Sequence, residues 1–179
     1  VRLAVEACRG GVDRVHAVDA TAEDAVLQEV FSNVGAGSMV YATPYDAVRP
    51  YRRSDAAAVL RIMRPYVESG RLLARTEADL ERLSSDFVVY EIDGTVHGVA
   101  ALSVVEDDVA EIHGIAIDET TAELGVGSTL LTYLLDRAEA SHIGRVFALT
   151  TQAYDWFRKL GFVRVPIDEL PESKRRAYD

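Results

Sequence analysis

Residues 109–131 read VAEIHGIAIDETTAELGVGSTLL, and the fold turns on how that stretch divides. Residues 109–117 are rich in Val, Ala and Ile and carry the pattern of a half-buried strand. Residues 118–123 are polar and irregular. Gly125-Val126-Gly127 follows, and Ser128-Thr129-Leu130-Leu131 opens a helix expected over residues 128–140. A strand, a glycine loop and a helix in that order have a physical use. Phosphate approaches a helix N-terminus closely only where the loop lacks bulky side chains, and the first N–H groups then stabilise its charge.

Outward from this unit the pattern stays regular. Upstream, two β-rich runs at 87–92 and 96–105 meet at Asp93-Gly94, a strong hairpin signal, and Asp107-Asp108 turns the chain into the strand at 109. Before them, Ser54-Asp55 is read as the cap of a helix ending at Ser69 before Gly70, and Thr76-Glu77-Ala78-Asp79 starts a second, reaching Ser84. A short strand is expected at 47–53, restricted by Pro50 to an edge or a bulge. Downstream come a strand at 145–150, a helix at 154–160 stopped by Gly161, a last strand at 162–165 and a polar helix at 168–179. Antiparallel strands followed by strand, glycine loop, helix and strand make an α/β (α+β) fold: a mixed, mostly antiparallel central sheet with helices on its faces.

Residues 1–42 read separately, as helix (1–9), strand (12–18), a helix at 22–31 capped by Thr21, and a strand from Ser38 to Tyr41. Residues 43–47 are expected to be a linker, and 48–179 the main domain. The chain has 179 residues, 49% hydrophobic and 27% charged, with no apolar run of membrane-spanning length. Its single cysteine, Cys8, and the lack of a Cys/His cluster argue against an intrachain disulfide or a structural zinc site. A cytoplasmic setting and no metal are expected. A formal net charge of −10 argues against nucleic acid or an anionic membrane as partner. It also means that an acidic substrate needs a local cluster of Arg or Lys.

The stretch from Val109 to Phe162 resembles the core of GNAT acetyltransferases. There a loop of the form Arg/Gln-x-x-Gly-x-Gly/Ala holds the pyrophosphate of CoA; here it reads Ala122-Glu123-Leu124-Gly125-Val126-Gly127. The resemblance implies acetyl-CoA as co-substrate, held by Leu124, Gly125, Val126, Gly127 and Ser128. Backbone N–H groups at Ile115, Ala116 and Ile117 would polarise the acetyl carbonyl. Ala122 departs from the family, which carries Arg or Gln there.

A narrower resemblance lies in Leu149-Thr150-Thr151 with Trp156-Phe157 and Gly161-Phe162, in Gly70-Arg71-Leu72-Leu73-Ala74-Arg75, in Gly98-Val99-Ala100-Ala101-Leu102, and in Ala110-Glu111. These are similar to the transferase domain of bacterial N-acetylglutamate synthases, where Phe rather than Tyr occupies the position of Phe157. That resemblance implies acetyl transfer to the α-amine of L-glutamate, at the entry to arginine biosynthesis. Glu111 would be the base, Thr150 or else Tyr154 the acid, and Arg75 the grip on the acceptor carboxylate; apart from the resemblance, His113 is a second candidate base, since a free imidazole titrates near neutrality. Phe157 would wall the pocket, and Lys174 and Arg175 would add basic contacts. Residues 1–42 resemble the end of the amino-acid-kinase-like domain that precedes the transferase in those enzymes. The chain stops at Asp179, before the Asn-x-Gln-Arg-Arg-Ser-like segment of such synthases, which bears on acceptor affinity. The alternatives are a GNAT acting on another small amine or a protein N-terminus, and a catalytically weak CoA-binding module. Oligomeric state is open, a homo-oligomer included.

Overall fold

The computed structural model describes residues 2–31, 35–41 and 46–176. The expected linker therefore falls mostly outside the described residues, as does the end of the C-terminal tail. The chain divides into two compact units, Val1–Ala47 with Ile92–Thr95, and Val48–Glu91 with Val96–Asp179.

In the first unit, α1 (Arg2–Arg9) packs on an antiparallel pair, β1 (Arg14–Ala17) and β2 (Ser38–Tyr41), with α2 (Ala25–Phe31) between them in sequence. The helix expected from Ala22 starts three residues later. Thr21 is not its cap: its N–H and hydroxyl both donate to the Asp19 carboxylate, closing a local turn that competes with helix.

The second unit is built on a five-stranded sheet in the order β3 (Asp46–Pro50), β4 (Phe87–Ile92), β5 (Thr95–Glu106), β6 (Val109–Ile117) and β7 (Arg145–Ala148). The Asp93-Gly94 turn, both residues at positive φ, joins β4 to β5. β5 and β6 are antiparallel, whereas β6 and β7 are parallel, with α5 (Val126–Ala140) as the crossover. Alternation along β5 sorts the helices. Val99 and Ala101 share a core with Val59, Ile62 and Met63 of α3 (Ala56–Glu68) and Leu80 of α4 (Glu77–Arg82). Gly98, facing the other way, lies under α5, where a Cβ would come within 2.8 Å of Val126 and 3.0 Å of Leu130.

Local chemistry explains most boundaries. Thr76 and Asp79 form the expected capping box of α4. Asp55 precedes α3 but makes no side-chain cap. Its carboxylate takes the Arg52 N–H (2.7 Å) and both terminal nitrogens of Arg49 (2.8 and 3.0 Å), tying β3 to the turn before α3. Two C-terminal expectations are corrected. Residues 162–165 form no strand; the run ends at Pro166, which has no N–H for a ladder. In the tail, the described residues hold only a 3₁₀ turn (Ile167–Glu169) and the short α7 (Glu172–Arg175), separated by Pro171.

Candidate active site

Strand β6 decides where chemistry can occur, because it outruns its neighbour. It pairs with β7 only from Val109↔Arg145 to Ile112↔Ala148, then continues to Ile117 while β7 ends. On its other side the register with β5 slips between Ala101↔His113 and Val99↔Ala116, so β6 holds one extra residue there. Gly114 sits in that bulge with φ +64°, a conformation that disfavours other residues. The strand thus parts from β7 and kinks in the same few residues. Of the three amides expected to polarise a carbonyl, Ile117's is already committed. It donates to the Tyr66 hydroxyl of α3 (3.2 Å), which donates to the Ile117 carbonyl (3.1 Å). Ala116 is paired with Val99 of β5, which leaves Ile115 on the kinked segment.

The glycine loop lies just beyond. A 3₁₀ turn (Glu119–Leu124) leads to Gly125 in the left-handed region at φ 74°, and α5 starts at Val126, two residues earlier than expected. No side chain caps this helix, and a Cβ on Gly125 would meet nothing within 4 Å. The amides of Val126, Gly127 and Ser128 therefore lie in the first turn of a 15-residue helix at an open loop, an arrangement suited to a phosphate. Ala122, Glu123 and Leu124 are exposed around it.

On the α3 face of the sheet, five ionisable side chains converge. Glu111, 8% exposed and directly opposite Ser103 on β5, is ion-paired with Lys174 of α7. His113, two residues along, has Nδ1 3.3 Å from Arg75 Nη2 and Nε2 2.8 Å from Ser103 Oγ. Ser103 Oγ donates to Asp86 Oδ2 at 2.5 Å. The Arg75 guanidinium also stands over the Phe87 ring, 5.6 Å from its centroid, and that ring meets His113 edge-on at 5.9 Å. Lys174, expected as an acceptor contact, is thus the partner of the expected base. The participation of Asp86, Ser103 and Phe87 had no signal in the sequence.

Other expected residues have described contacts of their own. Thr150 Oγ accepts the N–H groups of Gln152 (3.3 Å) and Ala153 (2.9 Å), organising the turn into α6 (Tyr154–Lys159). Tyr154 is 44% exposed, and Arg175 is also exposed. Phe157 is buried, with its ring 4.8 Å from Trp156 and 5.1 Å from Phe162, so its described ring contacts are those of a packing residue.

Burial, reinforced by the Arg75 guanidinium, pushes the His113 imidazole below its ordinary value, and burial does the same to His97 on β5. Both bind a proton more readily unfolded than folded. Their contribution to stability is complete above the unfolded value of 6.5 and is lost as pH falls from there towards the folded values. The urea midpoint is therefore expected to drop between about pH 7.5 and 5.5, above the range where most carboxylates titrate. Equilibrium unfolding across that window checks this, and a flat midpoint contradicts it.

Against this geometry the relatives can be set. A profile of the acetyltransferase (GNAT) family matches residues 55–162. The amino-acid acetyltransferase of Neisseria meningitidis serogroup A / serotype 4A is 36% identical over 179 residues, covering 99% of this chain and 41% of the relative. N-acetylglutamate synthase from Neisseria gonorrhoeae, complexed with coenzyme A and N-acetyl-glutamate, is similar at 36% identity with a TM-score of 0.73, over 98% of this chain and 42% of that one. A Mycobacterium tuberculosis protein in complex with CoA is similar at 28% identity with a TM-score of 0.66, over 74% of this chain and 83% of its own. The chain thus spans about 41% of the length of the curated relative. The matched residues run from the turn before α3 through the parting of β6 and β7 to the end of α6, which is more than half of the sequence. The chain belongs to the GNAT acetyltransferase family.

Proposed function

We propose that the chain binds acetyl-CoA and transfers its acetyl group to the α-amine of L-glutamate, the reaction that opens arginine biosynthesis. One observation carries the reading of the acceptor: Arg75, Glu111, His113 and Lys174 meet on one face of the sheet beside the edge where β6 outruns β7. In a chain of net charge −10, a guanidinium and an ammonium beside a buried carboxylate form a local site for an amine bearing carboxylates. The named relatives, an amino-acid acetyltransferase and an N-acetylglutamate synthase, support the same acceptor.

The residues divide the work. The amides of Val126, Gly127 and Ser128, with Leu124 and Gly125 at the rim, hold the pyrophosphate of CoA. Arg75 takes an acceptor carboxylate bidentately, and Arg175 adds long-range attraction. The amine must lose a proton before it attacks, and Glu111 accepts that proton, directly or through one water. Lys174, ion-paired with Glu111, holds that carboxylate in place beneath the acceptor. The amide of Ile115 faces the charge that develops on the acetyl oxygen. Thr150 supplies a hydroxyl to the departing thiolate, with Tyr154 as the alternative donor. Residues 1–42 are read as the C-terminal part of an amino-acid-kinase-like domain, 43–47 as a linker and 48–179 as the transferase domain, acting in the cytoplasm.

Titration calorimetry with acetyl-CoA and then glutamate, followed by thiol release against a panel of amines, tests the proposal. Saturable acetyl-CoA binding with turnover preferring glutamate is expected. Preference for another amine would remove the acceptor assignment. Binding without turnover for any amine would favour a CoA-binding module.

A further inference from the structure

The hydrogen bonds beside Glu111 run in one direction. The Ser103 hydroxyl proton goes to Asp86, so Ser103 presents only lone pairs to His113. The nitrogen 2.8 Å away, Nε2, must then carry the imidazole proton. A neutral ring protonated at Nε2 has its lone pair at Nδ1, and that nitrogen faces Arg75 Nη2, which can only donate. Arg75 donates to His113, His113 to Ser103, and Ser103 to Asp86. With its only lone pair turned to a guanidinium, His113 has none to offer a substrate amine.

We infer that Asp86 and Ser103 are positioning residues for acceptor recognition: by fixing the tautomer of His113 they hold its Nδ1 as an acceptor for Arg75 and aim the guanidinium at the acceptor carboxylate. The inference rests on the proposed acceptor site. Phe87 supports the same placement from the side, with the guanidinium over its ring and the imidazole against its edge. The charged groups around the imidazole are Arg75 before α4, Asp86 before β4, Glu111 on β6 and Lys174 on α7. Burial and the two cations among them favour the neutral ring that the chain requires.

The test combines kinetics with nitrogen NMR of the imidazole. In the unaltered chain His113 should show a protonated Nε2 and a pyridine-like Nδ1. Ser103→Ala removes the acceptor for Nε2–H, frees the ring to adopt the other tautomer, and turns an N–H towards Arg75. The glutamate KM should then rise about tenfold, with kcat and the acetyl-CoA KM within about twofold. His113→Asn places an amide oxygen where Nδ1 stood and should keep the glutamate KM within about threefold of the unaltered value. His113→Gln reaches only the Nε2 position and should behave like Ser103→Ala. A proton found on Nδ1 in the unaltered chain overturns the inference, and so does an unchanged glutamate KM in Ser103→Ala. Both results leave the acceptor proposal standing. Absence of glutamate turnover in the unaltered chain overturns that proposal, and this inference with it.

Discussion

Replacing Glu111 with Gln is expected to lower kcat for glutamate acetylation by about 10²- to 10³-fold, with acetyl-CoA binding unchanged. The substitution keeps the volume of a side chain that is 8% exposed and faces Ser103 across β5 and Phe147 across β7. It removes the carboxylate oxygen proposed to take the amine's proton. Lys174 loses its ionic partner but is a third exposed, so water can compensate it and the fold should survive. The proposed CoA loop lies at the N-terminus of α5, against the other face of the sheet, which is why cofactor affinity should be spared. The defect should narrow at high pH, where solvent deprotonates the amine without help. A kcat within threefold of the unaltered enzyme at neutral pH would assign the proton to another group, while urea unfolding separates a chemical loss from a structural one.

How much of this was legible in the sequence depended on the range over which each signal acts. Strand β6 spans 109–117, as its apolar pattern predicts, and the Asp93-Gly94 hairpin was fixed by two residues whose conformations suit a tight turn. The start of α5 was misplaced by two residues. Gly127 suggested loop, whereas the actual boundary is Gly125, whose left-handed φ ends the preceding 3₁₀ turn. The long tail helix failed because Pro171 interrupts it, and the expected strand at 162–165 runs straight into Pro166; local pattern had outweighed those two breakers. In the site, the types of residue were readable but their pairings were not. Glu111 and Lys174 were each singled out, for different tasks, and only folding reveals them as an ion pair. Tyr66 reaches Ile117 across 51 positions and Ser103 reaches Asp86 across 17, separations at which no periodicity or motif operates.

The second large effect is expected at Arg75. Arg75→Ala should raise the glutamate KM about 10²-fold, the loss that follows when one partner of a hydrogen-bonded guanidinium–carboxylate pair is truncated. Acetyl-CoA binding should not change, and kcat at saturating glutamate should fall much less than KM rises, because the proposed role of the group is to anchor the acceptor rather than to move its proton. Arg75→Lys separates charge from geometry. It restores a cation, but an ammonium has no planar fork for a carboxylate and stacks less well over the Phe87 ring that backs the guanidinium at 5.6 Å. Its KM should therefore lie between the two, closer to alanine if bidentate geometry dominates and closer to arginine if charge does. The His113 imidazole offers an internal check. Arg75 is one of the groups that hold it below its ordinary value, so removing the guanidinium should let it titrate higher by NMR even without substrate. An imidazole that rises as expected alongside an unchanged glutamate KM would mean that Arg75 stands in the observed cluster yet does not grip the acceptor, and carboxylate recognition would have to be sought at Lys174 and Arg175 instead.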